Sequence, residues 1–126
     1  PRMVTVQTQS CAPLNRAWER LGNLSFEEAA RQRKNFMWPW ETAPHSIAHG
    51  ILDDETYDWF EIAKGMRNSG GYPVIVGEDT LKRAHELGNR ETSIVVSATG
   101  TSGFAGLLAS TADYKEVCVI FSGFEQ

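Results

Sequence analysis

Apolar positions along the chain keep two different rhythms. Met3–Thr8, Pro73–Val76, Ser93–Val96 and Val117–Phe121 are short runs rich in β-branched residues, which predicts four strands. The last three are nearly continuous in Val and Ile, without the alternation of a half-exposed strand. Such runs fit strands covered on both faces, as in a parallel sheet.

The intervening segments follow helical spacing. Ala12–Leu21 carries Pro13 early, where a helix tolerates the missing N–H. Phe26–Met37 follows Ser25, an N-cap residue type, and places Glu27 and Glu28 in its first turn. Thr56–Arg67 puts Trp59, Phe60, Ala63 and Met66 on one stripe and stops at Gly70-Gly71. Asp79–Leu87 puts Leu81, Ala84 and His85 on one side and stops at Gly88. Gly100–Ala109 is apolar almost all round, which predicts burial. Between helices, Asn35–Ser46 holds two Trp and two Pro in an unpatterned stretch. It reads as an ordered loop packed on another element. No internal repeat or low-complexity tract interrupts the order.

From residue 56 onward the order is helix, strand, helix, strand, helix, strand. That alternation predicts an α/β fold with a right-handed, mostly parallel sheet and helices on both faces, in three layers. The length of 126 residues suits one domain or part of one. Pro1-Arg2 leads almost at once into the first strand. The chain therefore reads either as a piece of a longer protein or as a small domain whose initiator Met has been removed.

Composition narrows the classes. Hydrophobic residues at 41% and charged residues at 22% are ordinary for a globular domain. A net charge of −4 without a basic cluster argues against a nucleic-acid surface. No apolar run approaches the roughly 20 residues that span a bilayer, and no signal-peptide pattern opens the chain. Cys11 and Cys118 match no metal spacing, and Cys118 inside an apolar run is expected to be buried. A reduced, cytoplasmic setting is the default.

Candidate chemistry sits where strands end, because open α/β sheets bind ligands beyond their carboxyl edges. Gly77, the segment Ser97–Gly103 and Ser122-Gly123 occupy such ends. Ser97–Gly103 has two readings. Its glycines and the helix that follows suit an anion, or Thr99 or Thr101 caps the helix while the glycines allow close packing. It is not a Walker loop, since no Gly-Lys-Ser/Thr follows. The Ser122 hydroxyl either donates to a ring nitrogen or caps a strand end. His45 and His49 would share a helical face, but no third metal ligand is evident. No Gly-x-Ser-x-Gly elbow appears.

Several motifs, in order, carry a resemblance. They are Pro1–Gln7 with Cys11–Leu14 and Arg16-Ala17, then Pro44–Ala48 with Gly50-Ile51, then Ser69–Gly71, then Gly100–Leu107, then Val119–Gly123. Together they resemble the later half of threonine synthases, within the tryptophan-synthase-β-like group of pyridoxal-phosphate enzymes (fold type II). The resemblance implies that residues 1–126 are the carboxy-terminal part of a large cofactor-binding domain. It implies pyridoxal 5'-phosphate as cofactor and conversion of O-phosphohomoserine and water to threonine and phosphate.

By position, Ser122 matches the hydroxyl residue that bonds the pyridine nitrogen. Thr99, Gly100 and Gly123 would lie beside the same pocket. The Schiff-base lysine and the glycine-rich phosphate loop lie upstream in that family, so no catalytic residue is expected here. Lys34, Lys64, Lys82 and Lys115 stand on helices or in a polar turn. An amino-acid substrate and the missing amino-terminal part would be partners, and the isolated piece is expected to associate with itself. Ser97-Ala98 stands where the family often has Glu-Pro, and Thr101 and Ser102 replace small Ala positions. Those departures keep open a same-fold dehydratase or ammonia-lyase. A self-contained, anion-binding α/β domain is the remaining alternative.

Overall fold

Two strands, Val4–Thr8 (β1) and Tyr72–Val76 (β2), pair in parallel, with Val4 opposite Tyr72 and Thr8 opposite Val76. They come from a computed structural model that describes residues 1–124. Alternate β1 residues face opposite ways. The Thr5 hydroxyl reaches Met66 Sδ at 3.3 Å on one face. Val6 turns to the other face, where only a glycine, Gly106, leaves it room.

Helices cover both faces. On the Thr5 side lie α1 (Pro13–Leu21), α2 (Phe26–Ala30) and α3 (Trp59–Ser69). Leu14, Ala17, Leu21, Ala29, Phe36, Trp59, Phe60, Ala63 and Met66 form one core there. The stripe expected on α3 is this core's centre, and Phe36 stacks on Trp59 at 5.5 Å. Burying a side chain such as Leu21 or Met66 contributes about 1.5–3 kcal/mol over leaving it in water. The helix α3 ends at Gly70, whose φ of 69° is the left-handed cap that glycine adopts without strain. On the Val6 side, α5 (Ser102–Ala109) lies on the sheet, with α4 (Glu78–Glu91) against it. Ala48, Val76, Leu81, Ala84 and Ala105 make this second core.

The Trp-Pro stretch is an ordered loop on α1. The Arg16 guanidinium lies 3.8 Å from the Trp38 ring centroid and 5.0 Å from that of Trp40. It also holds both Glu41 oxygens at 3.0 Å and donates to the Trp38 carbonyl. Trp38 Nε1 donates to Glu41 at 2.6 Å. That bond, then Glu41's own backbone, holds the Glu41 carboxyl below its ordinary range.

The structure corrects several expectations. Neither Ser93–Val96 nor Val117–Phe121 is a strand, so the sheet has two strands among the described residues. Ile94 and Val95 are 51% and 55% exposed, and Ile120 is 76% exposed. Cys118 is exposed rather than buried, because it shares that uncovered run. At Val96 both backbone groups are taken by one side chain. Asn89 Oδ1 accepts from Val96 N–H at 3.0 Å, and Asn89 Nδ2 donates to Val96 C=O at 2.9 Å. The carboxamide takes the backbone groups of Val96 itself, and Val96 meets Phe124 in an isolated antiparallel bridge rather than along a ladder.

Helix limits shift as well. The helix α2 begins with the expected Ser25 cap, reciprocated by Glu28, but ends at Ala30. A 3-10 turn over Arg33–Asn35 then redirects the chain and brings Phe36 into the core. The helix α4 runs through Gly88 instead of stopping there. A Cβ at Gly88 would lie 2.8 Å from Thr101 Cγ2, so the glycine serves the approach of α4 to the start of α5. No helix among the described residues is long and apolar enough to cross a membrane.

Candidate functional site

The turn into α5 is tied by its own hydroxyls. Ser97 Oγ accepts from Gly100 N–H at 3.0 Å. Thr101 Oγ1 donates to the Ser97 carbonyl at 3.2 Å, and Ser102 Oγ to the Thr99 carbonyl at 2.8 Å. Neither expected cap operates: Thr101 holds the N-cap position without a side-chain cap bond, and Thr99 points elsewhere. Its hydroxyl accepts from Gly50 N–H at 3.0 Å and so pins the loop that carries His49. Glu78, at the start of α4, holds the same loop through Ser46 Oγ at 2.9 Å and Ile47 N–H at 2.5 Å.

Gly123 and Ser122 meet this turn from the far end of the chain. Ser97 N–H donates to the Gly123 carbonyl at 3.1 Å, and Ser122 N–H to the Gly100 carbonyl at 3.3 Å. The contact is backbone on backbone. A Cβ on Gly100 would overlap the Gly123 carbonyl oxygen and lie 2.7 Å from its nitrogen. A Cβ on Gly123 would lie 2.5 Å from Ser97 Oγ. Both glycines are therefore required by close approach. Thr99, Gly100, Ser122 and Gly123, the four residues singled out from the sequence, thus gather at one turn. The Ser122 side chain is exposed there.

An open cleft of about 380 Å³ flanks the turn. Ile47, His49, Lys82, His85, Glu86, Ser97, Ala98 and Thr99 line it. Of the four singled-out residues only Thr99 reaches it. Sequence reasoning missed His49, Lys82 and His85 as lining groups. Lys82, His85 and Glu86 stand three and four residues apart on α4, a spacing that does signal a shared face. His49 lies in a 3-10 turn and not on a helix with His45. No group of three metal-binding side chains occurs among the described residues.

A second cleft, of about 390 Å³, lies elsewhere on the fold, between β1 and the 50–58 stretch. Its charged lining residues are Asp53, Glu55 and Asp58. Nearby Cys11 is buried and donates to the Asp53 carbonyl at 3.3 Å. Burial first, then Asp54 and Asp53, push its pKa up, which disfavours the reactive thiolate.

The chain matches no family model and no curated protein. A solved structure does resemble it: a threonine deaminase from T.th., with a TM-score of 0.61 and 20% sequence identity. The likeness covers 85% of this chain and 33% of that one. This chain has the fold of that part of the deaminase. It spans about a third of the deaminase's length.

Proposed function

We propose that this chain is the carboxy-terminal part of the large cofactor-binding domain of a fold-type II, pyridoxal-phosphate-dependent lyase. The observation that carries this reading is the backbone contact of Ser122-Gly123 with Ser97–Gly100. It puts the hydroxyl residue that the resemblance assigns to the pyridine nitrogen beside the glycine-rich turn. The likeness to a deaminase at 33% of its length supports the same reading.

The residues fit one end of pyridoxal 5'-phosphate. Ser122 presents an exposed hydroxyl, a neutral donor to a ring nitrogen. Gly100 and Gly123 set it at the lip of the turn, and Thr99 holds the His49 loop against the same turn. When bound, the cofactor supplies an electron sink, and a neutral partner at its ring nitrogen moderates that sink. Lys34, Lys64, Lys82 and Lys115 are all exposed. None has the desolvated setting that makes a reactive amine, so the Schiff-base lysine is assigned to an upstream part of the protein. That part would also cover Ile94, Val95 and Ile120.

The threonine-synthase resemblance favours O-phosphohomoserine and water as substrates, giving threonine and phosphate. The deaminase likeness supports a second reading, loss of ammonia from a hydroxyamino acid. Assays of the full-length protein with added cofactor separate them. Phosphate release with threonine formation from O-phosphohomoserine supports the first. Ammonia with a 2-oxo acid from threonine supports the second. Neither product from either substrate contradicts the lyase reading.

A further inference from the structure

The lining of the cleft beside Thr99 defines a ligand class of its own. Ser97 Oγ accepts from Gly100 N–H and Thr99 Oγ1 from Gly50 N–H, each at 3.0 Å. With these oxygens already accepting from backbone amides, each hydroxyl has its hydrogen to offer a ligand. Lys82 adds an ammonium with three donors and no acceptor, and the His49 imidazole adds a further donor. Glu86 is the one acidic side chain in the lining. Lys82 and Glu86 cancel in formal charge, so the lining is donor-rich and neutral on a chain that carries −4 as a whole. The second cleft, of nearly equal size, has the opposite character, with three carboxylates and no base.

We propose that the cleft binds a small oxyanion, phosphate or carboxylate, between Lys82, His49 and the hydroxyls of Ser97 and Thr99. The inference shares Thr99 with the cofactor reading but does not rest on it, since the donors named here belong to this chain alone. Oxygen anions match the lining because every donor can make a charge-assisted bond to them, about twice as strong as a neutral one.

The test is a titration of the 126-residue chain with inorganic phosphate, and separately with acetate, at constant ionic strength. Backbone amide NMR shifts are followed. Saturable shifts at His49, Lys82 and Thr99, with Asp53 and Asp58 unmoved, are expected. Lys82→Met should weaken binding about tenfold, the scale of one lost bond to a charged group. Glu86→Gln should tighten it. Both side chains are exposed on α4, so neither change disturbs the core. Stronger binding of phosphate than acetate points to a phosphorylated ligand, and equal binding to a carboxylate; both support the site. Absence of saturable shifts, unchanged affinity in Lys82→Met, or equal shifts at the acidic cleft overturns it. If phosphate binds while the full-length protein has no lyase activity, the cofactor reading fails and this one stands.

Discussion

Residues 1–92 and residues 93–124 are ordered by different forces. In the first region apolar side chains find apolar partners, in two cores on either face of β1 and β2. In the second, outside α5, Ile94, Val95, Val117, Ile120 and Phe124 are exposed while Val96 is fully buried, and polar contacts set much of the path. Asn89 grips Val96, Ser97 and Gly100 close the turn, and Gly123 lies against Gly100. Tyr114 is tied to the Tyr72 hydroxyl, which lowers the Tyr72 pKa, and to Ser110 Oγ at 3.2 Å. The lesson is that the turn bearing the candidate site is built from hydrogen bonds and glycine contacts. Of the Val-rich run that leads into it, Ile94 and Val95 stand in water while Val96 is fully buried against Gly100.

Four substitutions test that contrast. Met66→Ala removes a fully buried side chain from the first core and should cost about 2–5 kcal/mol in denaturant unfolding. A loss under about 1 kcal/mol would mean that this core is not tightly packed. Gly100→Ala forces a methyl against the Gly123 carbonyl and Val96, and should cost about 1–3 kcal/mol. Its amide shifts should move around Ser122 and Gly123 while α3 stays unchanged. Shifts confined to residue 100 would show that the two segments do not touch. Asn89→Ala leaves both backbone groups of Val96 without their partner, at about 1–3 kcal/mol, with faster hydrogen exchange at Val96. Unaltered exchange there would separate Val96 from Asn89. In the 126-residue chain by itself, Ile120→Lys should change stability by no more than about 0.5 kcal/mol, since the side chain stands in water there. A large loss in that chain would mean that Ile120 is packed without any upstream part.

Legibility in the sequence divides along the same line. The α3 stripe, the Ser25 cap and the Trp-Pro loop were readable because each follows from spacing or residue type close in the chain. The third and fourth strands were misread because β-branched runs state a preference, and a strand also needs a neighbour to pair with. Val96 finds Phe124 in one isolated antiparallel bridge, and its own N–H and C=O go to Asn89, seven residues earlier and in a helix, which no periodicity encodes. At the site, Gly100 and Gly123 stood out as glycines, but their mutual contact joins distant points of the chain. Lys82 read as a surface lysine. Its place in a cleft depends on Glu78 and Thr99 drawing in the 46–50 loop.

The central functional claim is that the cofactor's ring nitrogen meets Ser122 at this turn. Ser122→Ala in the full-length protein, loaded with pyridoxal 5'-phosphate, tests it most directly. Loss of one hydrogen bond, about 0.5–1.5 kcal/mol, predicts a two- to tenfold fall in kcat together with a shifted cofactor absorption maximum. An unchanged spectrum with an unchanged rate would contradict it.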